Sequence, residues 1–267
     1  AVLTAAGADV RVVTCTLGEE GEVLGDELAG LVADDADQLG GYRIRELTDA
    51  LRALGIDRPR FLGGAGRWRD SGMAGTPAAE NPRAFVRSGR AAVDELVGIL
   101  DEFRPHLVVT YDPHGGYGHP DHIRAHEIAL AAWHAAGDPD QYPDAGDPWE
   151  PKKLYYTSWA RARFLAMHQS FLDAGIESPF DQKWFDRPST DHLITTKIDV
   201  TDFYSARSDA LRAHATQIDP TSPFWFVRSW RTVTKPRSGR EFESRVASTV
   251  IVPRRVSPAS TGRIQRT

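Results

Sequence analysis

The sequence of 267 residues predicts an α/β fold, in which a Rossmann-like, mostly parallel sheet carries helices on both faces. Short segments rich in β-branched residues alternate with longer segments whose apolar residues recur at helical spacing. Polar, glycine-rich turns follow the predicted strands. In an open α/β sheet the edge formed by the carboxyl ends of the strands binds ligands, so these turns are the first candidates for a functional site.

The first half of the chain alternates regularly. Residues 1–7 have the pattern of the last turns of a helix that ends at Gly7. Strands are predicted where β-branched and apolar residues cluster, and helices where leucine, isoleucine and phenylalanine recur on one side. The predicted strands cover 9–16, 58–63 and 106–110, and the predicted helices cover 33–54, 84–103 and 123–136.

The sequence pattern of the second half of the chain predicts fewer helices and strands. After a connector rich in proline, aspartate and glycine over 137–151, the pattern predicts strand 153–158, helix 161–174, an aromatic loop over 179–191, strand 193–200 and helix 203–216. The pattern weakens beyond Pro220. We therefore expect one domain over 1–220, a C-terminal extension over 221–252, and a disordered tail over 253–267, which contains arginines but no acidic residue.

Composition excludes several classes of function. The net charge of −5 gives no electrostatic reason to expect nucleic acid or an anionic membrane as a partner. Cys15 is the single cysteine, so no disulfide can form within the chain, and a reducing cytoplasm fits. No apolar run approaches the length of a membrane span. The composition does not determine the oligomeric state.

Residues 111–122 (YDPHGGYGHPDH) contain the candidate catalytic and metal-binding side chains. A buried strand precedes it and a helix follows, so His119 and His122 can share one face at the start of that helix. One imidazole could bind a metal while the other faces a substrate carbonyl, with Asp121 orienting one of them. The Tyr117 hydroxyl could donate to a developing oxyanion.

An ordinary structural interpretation of these residues is about as probable on spacing alone. His119 could simply cap the helix, while His122 could lie at the surface with its hydrogen-bonding groups paired. A zinc site needs three protein ligands, and the other histidines do not supply an obvious third. The acidic glycine loop over 18–22 could be either a binding-site rim or a solvated turn.

Three motifs together resemble a known family. Residues 13–23 (VTCTLGEEGEV), 64–73 (GAGRWRDSGM) and 115–122 (GGYGHPDH) resemble the PIG-L/LmbE-like zinc de-N-acetylases. The first two motifs are similar to the actinobacterial branch that removes acetate from N-acetylglucosaminyl-inositol in mycothiol biosynthesis. Residues 142–146, 153–156 and 210–220 are more similar to the sister branch of mycothiol S-conjugate amidases. The resemblance covers about residues 1–220.

The resemblance implies roles for individual residues. His122 matches a zinc ligand, and His119 matches the histidine that stabilises the oxyanion or acts as general acid. Asp121 matches the carboxylate that tunes that histidine, and Tyr117 matches a mobile tyrosine over the substrate carbonyl. The residues that match or adjoin the binding site for the hydroxyls of a small glucosaminyl-inositol substrate are Arg43, Asp70 and Glu22.

One family motif has no counterpart here. The resemblance implies a His-Pro-Asp-Asp motif after the first strand, which supplies the other two zinc ligands and the general base. The only His-Pro-Asp in this sequence is residues 119–121. We therefore expect that the first strand of the fold is missing and that residues 1–267 alone bind zinc poorly and deacetylate slowly.

Three functions remain open. The first is zinc-dependent hydrolysis of the N-acetyl group of N-acetylglucosaminyl-inositol. The second is amide cleavage of mycothiol S-conjugates, which is the same chemistry on a larger acyl group. The third is a non-catalytic remnant that binds sugar or serves as a structural module.

Overall fold

The computed structural model describes residues 1–142, 147–226 and 247–251. The strands are β1 (Val13–Thr14), β2 (Arg60–Phe61), β3 (Leu107–Thr110), β4 (Lys153–Ser158), β5 (Thr196–Asp199) and β6 (Ala247–Ile251). The α-helices are α1 (Val2–Ala5), α2 (Leu39–Ala53), α3 (Gly89–Phe103), α4 (Gly115–Gly118), α5 (Pro120–Ala136), α6 (Arg161–Asp173), α7 (Gln182–Phe185), α8 (Tyr204–Arg212) and α9 (Pro223–Phe226). Short 3₁₀ turns occupy Asp26–Leu31, Pro77–Glu80, Phe85–Arg87, Asp191–Leu193 and Thr201–Phe203.

The α/β class is confirmed, but the described strands form two sheets rather than one. β1 pairs with β2 in parallel, and β3 pairs with β4 in parallel. β6 lies between β4 and β5 and runs antiparallel to both. The sequence pattern did not predict β6, because the partners of this strand, β4 and β5, lie far from it in the sequence.

Two helical pairs pack around these strands. α3 packs along α5, and α2 packs along α8. The core that joins the first sheet to α3 and α5 contains Leu62, Phe85 and Ile128, with Val13 and Cys15 of the β1 segment against it. Trp68 and Phe85 meet edge to face, with ring centroids 6.1 Å apart. This core packs the β1 segment against the middle of α5.

Several predicted elements are shorter than expected, and the backbone gives the reasons. The predicted strand over 9–16 is reduced to β1, which in the described part of the chain pairs only with β2. The helix predicted over 33–54 begins at Leu39, after Asp37 takes a left-handed φ of 53°. The helix predicted over 84–103 is interrupted before Gly89, whose φ is +55°.

The remaining predictions agree with the structure to within a few residues. β3, β4, α5 and α6 appear where the pattern placed them, and residues 1–7 contain the short helix α1. The predicted loop over 179–191 contains the single turn α7. Within the described ranges, no helix combines the length and the apolar character that a membrane crossing requires. The predicted tail over 253–267 lies outside the described residues, as does most of the predicted extension over 221–252.

Candidate active site

The candidate site lies where β3 ends and α5 begins. The chain leaves β3 at Thr110, passes through the short turn α4, and enters α5 at Pro120, a residue suited to the first position of a helix. Gly115 has a φ of +64°, and a Cβ there would lie 2.8 Å from the Cβ of His122. Only glycine lets the turn approach α5 this closely, so the motif's glycine places the turn against the histidine.

The two histidines of the motif are held in complementary tautomers. His119 caps α5, and its Nδ1 accepts a hydrogen bond from the backbone N–H of Asp121 at 3.1 Å. An amide N–H can only donate, so a neutral His119 carries its proton on Nε2. The Nδ1 of His122 lies 3.1 Å from the carbonyl oxygen of Gly115, which can only accept. His122 therefore carries its proton on Nδ1 and keeps a lone pair on Nε2.

Aromatic rings surround the two imidazoles. The His119 and His122 ring centroids are 4.9 Å apart, and Tyr111 stacks on His122 at 4.1 Å with an angle of 7° between planes. The ring of Tyr117 lies 5.1 Å from that of His122, edge to face. Tyr117 is 69% exposed, so its hydroxyl is accessible to a ligand. Burial lowers the pKa of His122, which favours the neutral imidazole.

Asp121 is buried directly behind the histidines. Its Oδ2 accepts a hydrogen bond from the backbone N–H of Ser71 at 3.0 Å, and its Oδ1 is buried without a hydrogen-bond partner. Burial, with a contribution from the negative charge of Asp70, raises the pKa of Asp121 to about 6, although the hydrogen bonds from Ser71 oppose the shift. The hydrogen bond between Asp121 and His119 is made by the backbone N–H of Asp121.

A second group of polar residues adjoins this cluster. Asp70 is buried, and its Oδ1 accepts a hydrogen bond from the N–H of Gly72 at 2.9 Å. The backbone N–H of Asp70 donates to Glu19 Oε2 at 3.1 Å, and the same oxygen accepts the N–H of Leu17 at 3.1 Å. Burial raises the pKa of Tyr117, and the negative charge of Asp70 adds to that shift.

Arg43 projects from α2 into the rim loop over 17–24. Its Nη1 donates to the carbonyl oxygen of Gly18, and its Nη2 donates to the carbonyl oxygen of Glu22 at 3.1 Å. A Cβ on Gly18 would lie 2.6 Å from Nη1, so glycine makes room for the guanidinium. Burial lowers the pKa of Arg43, and the carboxylates of Glu46, Asp70 and Glu19 oppose that shift. Glu22 joins this arrangement through its backbone carbonyl, and its side chain is exposed.

The described residues do not by themselves make a zinc site. Within the ranges that the structure covers, no group of three or more His, Cys, Asp or Glu side chains could hold a metal ion. His122, with its free Nε2 lone pair, is suited to be one ligand, but a zinc ion needs three from protein.

The structure brings the predicted site residues into one region, where they form a histidine cluster and a neighbouring group of charged residues. Tyr117, His119, Asp121 and His122 form one cluster, and Asp70 connects it electrostatically to Arg43. Sequence reasoning did not single out Glu19, Ser71 or Tyr111. Glu19 and Ser71 lie inside the motifs that were recognised, but their burial depends on the packing of distant loops, which spacing does not reveal.

Comparison with known proteins defines the class. The profile of the PIG-L family, described as GlcNAc-PI de-N-acetylase, matches residues 1–133. The chain is 55% identical over 221 residues to the 1D-myo-inositol 2-acetamido-2-deoxy-alpha-D-glucopyranoside deacetylase of Rhodococcus erythropolis PR4, a match covering 79% of this chain and 72% of the relative. The chain therefore belongs to the PIG-L family of de-N-acetylases, hydrolases that act on N-acetyl amide bonds.

Other relatives and solved structures agree. The enzyme of the same name from Nocardia farcinica IFM 10152 is 53% identical over 225 residues, which cover 80% of this chain and 72% of that protein. The N,N'-diacetylchitobiose deacetylase of Pyrococcus horikoshii has the same fold, with a TM-score of 0.61 and 18% identity over 97% of this chain and 79% of its own. GalB, a 4-carboxy-2-hydroxymuconate hydratase of Pseudomonas putida KT2440, also shares the fold at a TM-score of 0.57 and 16% identity, over 96% of this chain and 89% of its own.

Proposed function

We propose that this protein hydrolyses the N-acetyl group of N-acetylglucosaminyl-inositol, giving acetate and the free amine, in the cytoplasmic pathway of mycothiol biosynthesis. The names of the relatives at 50–55% identity support this substrate. The observation that carries the proposal is the pair of complementary tautomers. One imidazole of the His-Pro-Asp-His motif offers a proton at Nε2, and the other offers a lone pair at Nε2.

His119 would act on the tetrahedral intermediate. Its Nδ1 accepts an amide N–H, so the neutral ring has Nε2–H free to donate to the oxyanion that forms when water attacks the acetyl carbonyl. This arrangement favours an oxyanion donor over a general acid, because full protonation of the ring would place a second proton against the donating amide of Asp121. Removing one such donor typically costs about 100-fold or more in kcat.

Tyr117 would be the second donor to the oxyanion. Its ring lies 6.0 Å from that of His119, and its exposed position at a glycine-flanked turn lets the hydroxyl move over a bound amide. Asp121 would hold the start of α5 in place, since its carboxylate is tied to the segment that carries Asp70.

Arg43 and Asp70 would bind the hydroxyl groups of the sugar and the inositol. A guanidinium that offers several donors and a carboxylate that only accepts can together fix a polyol in one orientation. Glu22 would complete the rim with its exposed carboxylate. Burial raises the pKa of Tyr117 and the Asp70 charge adds to this shift, which supports a site shared by the substrate-binding residues and the oxyanion donors.

PIG-L enzymes are generally metal-dependent, and we propose zinc as the metal, with His122 as one ligand. The Gly115 carbonyl that accepts the Nδ1–H of His122 is the usual kind of partner behind a metal-binding imidazole. The described residues supply no complete ligand set, so no step of the reaction is assigned to the metal.

The proposal is tested with purified residues 1–267 in buffer of defined zinc concentration. Amine release from N-acetylglucosaminyl-inositol and cleavage of a mycothiol S-conjugate are measured side by side, and bound zinc is determined by elemental analysis. The ratio of the two kcat/KM values decides the substrate even if turnover is slow. We expect the acetylated sugar to be preferred, and His119→Ala and Tyr117→Phe each to lower kcat more than they raise KM.

His114→Ala is the matched control, because His114 is an exposed histidine in the same turn. It should leave both rates unchanged. Preference for the S-conjugate would assign the amidase function instead. Binding of glucosaminyl-inositol without cleavage of either compound, at full zinc occupancy, would assign the non-catalytic sugar-binding function.

A further inference from the structure

Thr216 is a fully buried residue that connects two parts of the candidate site. Its backbone N–H donates to Glu46 Oε1 at 2.7 Å, and its hydroxyl donates to Glu46 Oε2 at 2.7 Å. Its carbonyl oxygen accepts the N–H of Leu24 at 2.9 Å. Thr216 is 0% exposed and Glu46 is 3% exposed, so water cannot replace these bonds without local opening.

The hydrogen bonds of Thr216 connect it to Arg43, the residue to which we assign binding of the substrate hydroxyls. Glu46 lies three residues after Arg43 on α2, so the two side chains are neighbours on one helical face. Leu24 ends the rim loop whose carbonyl oxygens, at Gly18 and Glu22, receive the Arg43 guanidinium. One residue thus fixes both the helix from which Arg43 projects and the loop against which its guanidinium rests.

The position of Arg43 depends on that loop. Its guanidinium donates to two loop carbonyl oxygens, and its Nε is buried without a partner in the part of the chain that the structure describes. No carboxylate therefore fixes the guanidinium directly among the described contacts. A loop shift of about 1 Å would move the donors that a sugar hydroxyl meets, and misplacement of that size can weaken a site considerably.

We propose that Thr216, acting through the buried carboxylate of Glu46 and the amide of Leu24, is a positioning residue for Arg43 and so determines affinity for the polyol part of the substrate. This inference rests on the proposed function, because it takes Arg43 as a substrate-binding residue. It assigns a role to residues 210–220, a motif that the chemistry of the histidine cluster does not use. Thr216 itself does not touch the substrate.

The test replaces the Thr216 hydroxyl by a methyl group, which keeps the shape of the side chain. In Thr216→Val the Glu46 carboxylate loses one buried donor, and we expect the dissociation constant of glucosaminyl-inositol, measured by calorimetry, to rise about tenfold, as loss of roughly one hydrogen bond to a charged group would produce. Turnover at saturating substrate should stay unchanged. Hydrogen exchange of the amides over 18–24 should become faster, because the loop loses its anchor.

Two further variants separate positioning from general stability. Thr216→Ser keeps the hydroxyl and should restore both affinity and slow exchange. Thr48→Val is the matched control, since the Thr48 hydroxyl donates to the Ile44 carbonyl at 2.7 Å, a bond within the same helix. It should change the melting temperature at most. If Thr216→Val does not fold, Glu46→Gln tests the same bond from the other side.

The outcomes distinguish this inference from the proposed function. If the wild-type protein does not cleave the acetylated sugar, the proposed function fails, while the exchange experiment still tests the anchoring of the loop. If Thr216→Val keeps wild-type affinity, or if its loop amides exchange at the wild-type rate, the positioning role is refuted. An equal loss of affinity in Thr48→Val would also refute it, because the effect would then be one of stability alone.

Discussion

Glu19 offers the sharpest test of how this site is built. A single carboxylate oxygen accepts the N–H groups of Leu17 and Asp70, both at 3.1 Å, and the side chain is only 8% exposed. These two bonds join the rim loop to the segment that carries the Asp70 carboxylate. Glu19→Ala removes the acceptor and leaves two amide donors without a partner in a buried setting.

The expected loss of stability follows from those two bonds. A hydrogen bond to a charged group contributes about 1.5–3 kcal/mol, and two of them give an upper range of about 3–6 kcal/mol. Water that enters the space left by the side chain recovers part of this, so we expect a loss of about 3 kcal/mol in the free energy of unfolding. In a domain of this size that corresponds to a fall in melting temperature of about 6–12 °C.

Urea unfolding followed by circular dichroism measures the loss directly. Glu19→Gln retains an oxygen acceptor without charge and should fall between wild type and Glu19→Ala. Glu22→Ala removes an exposed carboxylate from the same loop, and its stability should stay within about 0.5 kcal/mol of wild type. A loss below about 1 kcal/mol in Glu19→Ala, or equal losses in Glu19→Ala and Glu22→Ala, would refute the claim that this carboxylate holds the loop.

Three further predictions concern single residues. Burial raises the pKa of the partly exposed Cys15 thiol to about 12, so iodoacetamide at pH 8 should alkylate it much more slowly in the folded protein than in denaturant, and equal rates would contradict the raised pKa. Burial lowers the pKa of His214, so the stability that the neutral imidazole contributes is present above about pH 6.5 and is lost as the pH falls. His214→Gln should therefore flatten the fall in melting temperature between about pH 7 and 5. An unchanged slope would contradict this. Phe85→Ala, at a side chain 0% exposed against Trp68, should lower the free energy of unfolding by about 3–5 kcal/mol in a urea titration, and a loss under about 1.5 kcal/mol would indicate that the core cluster is misassigned.

Local signals were sufficient for the elements that lie near the site. The proline at the start of α5 and the apolar run of β3 are properties of a few neighbouring residues, and both elements appear where the pattern placed them. The family motifs also depend on local sequence, and the relatives confirm the assignment to the family. Elements that depend on distant partners were predicted less well. β1 is shorter than its β-branched run, and β6 was missed, because the extent of a strand is set by its neighbours in the sheet.

The sequence by itself determined which chemical groups this protein carries: an α/β scaffold, a His-Pro-Asp-His motif after a strand, and the arginine and aspartate that we propose as substrate-binding residues. Only the tertiary structure decided how those groups are presented. The tautomers of His119 and His122 follow from one amide donor and one carbonyl acceptor, and the burial of Asp121 follows from the loop that carries Ser71. Hydrogen-bond partners and desolvation come from residues far apart in sequence, and for that reason spacing alone cannot specify them.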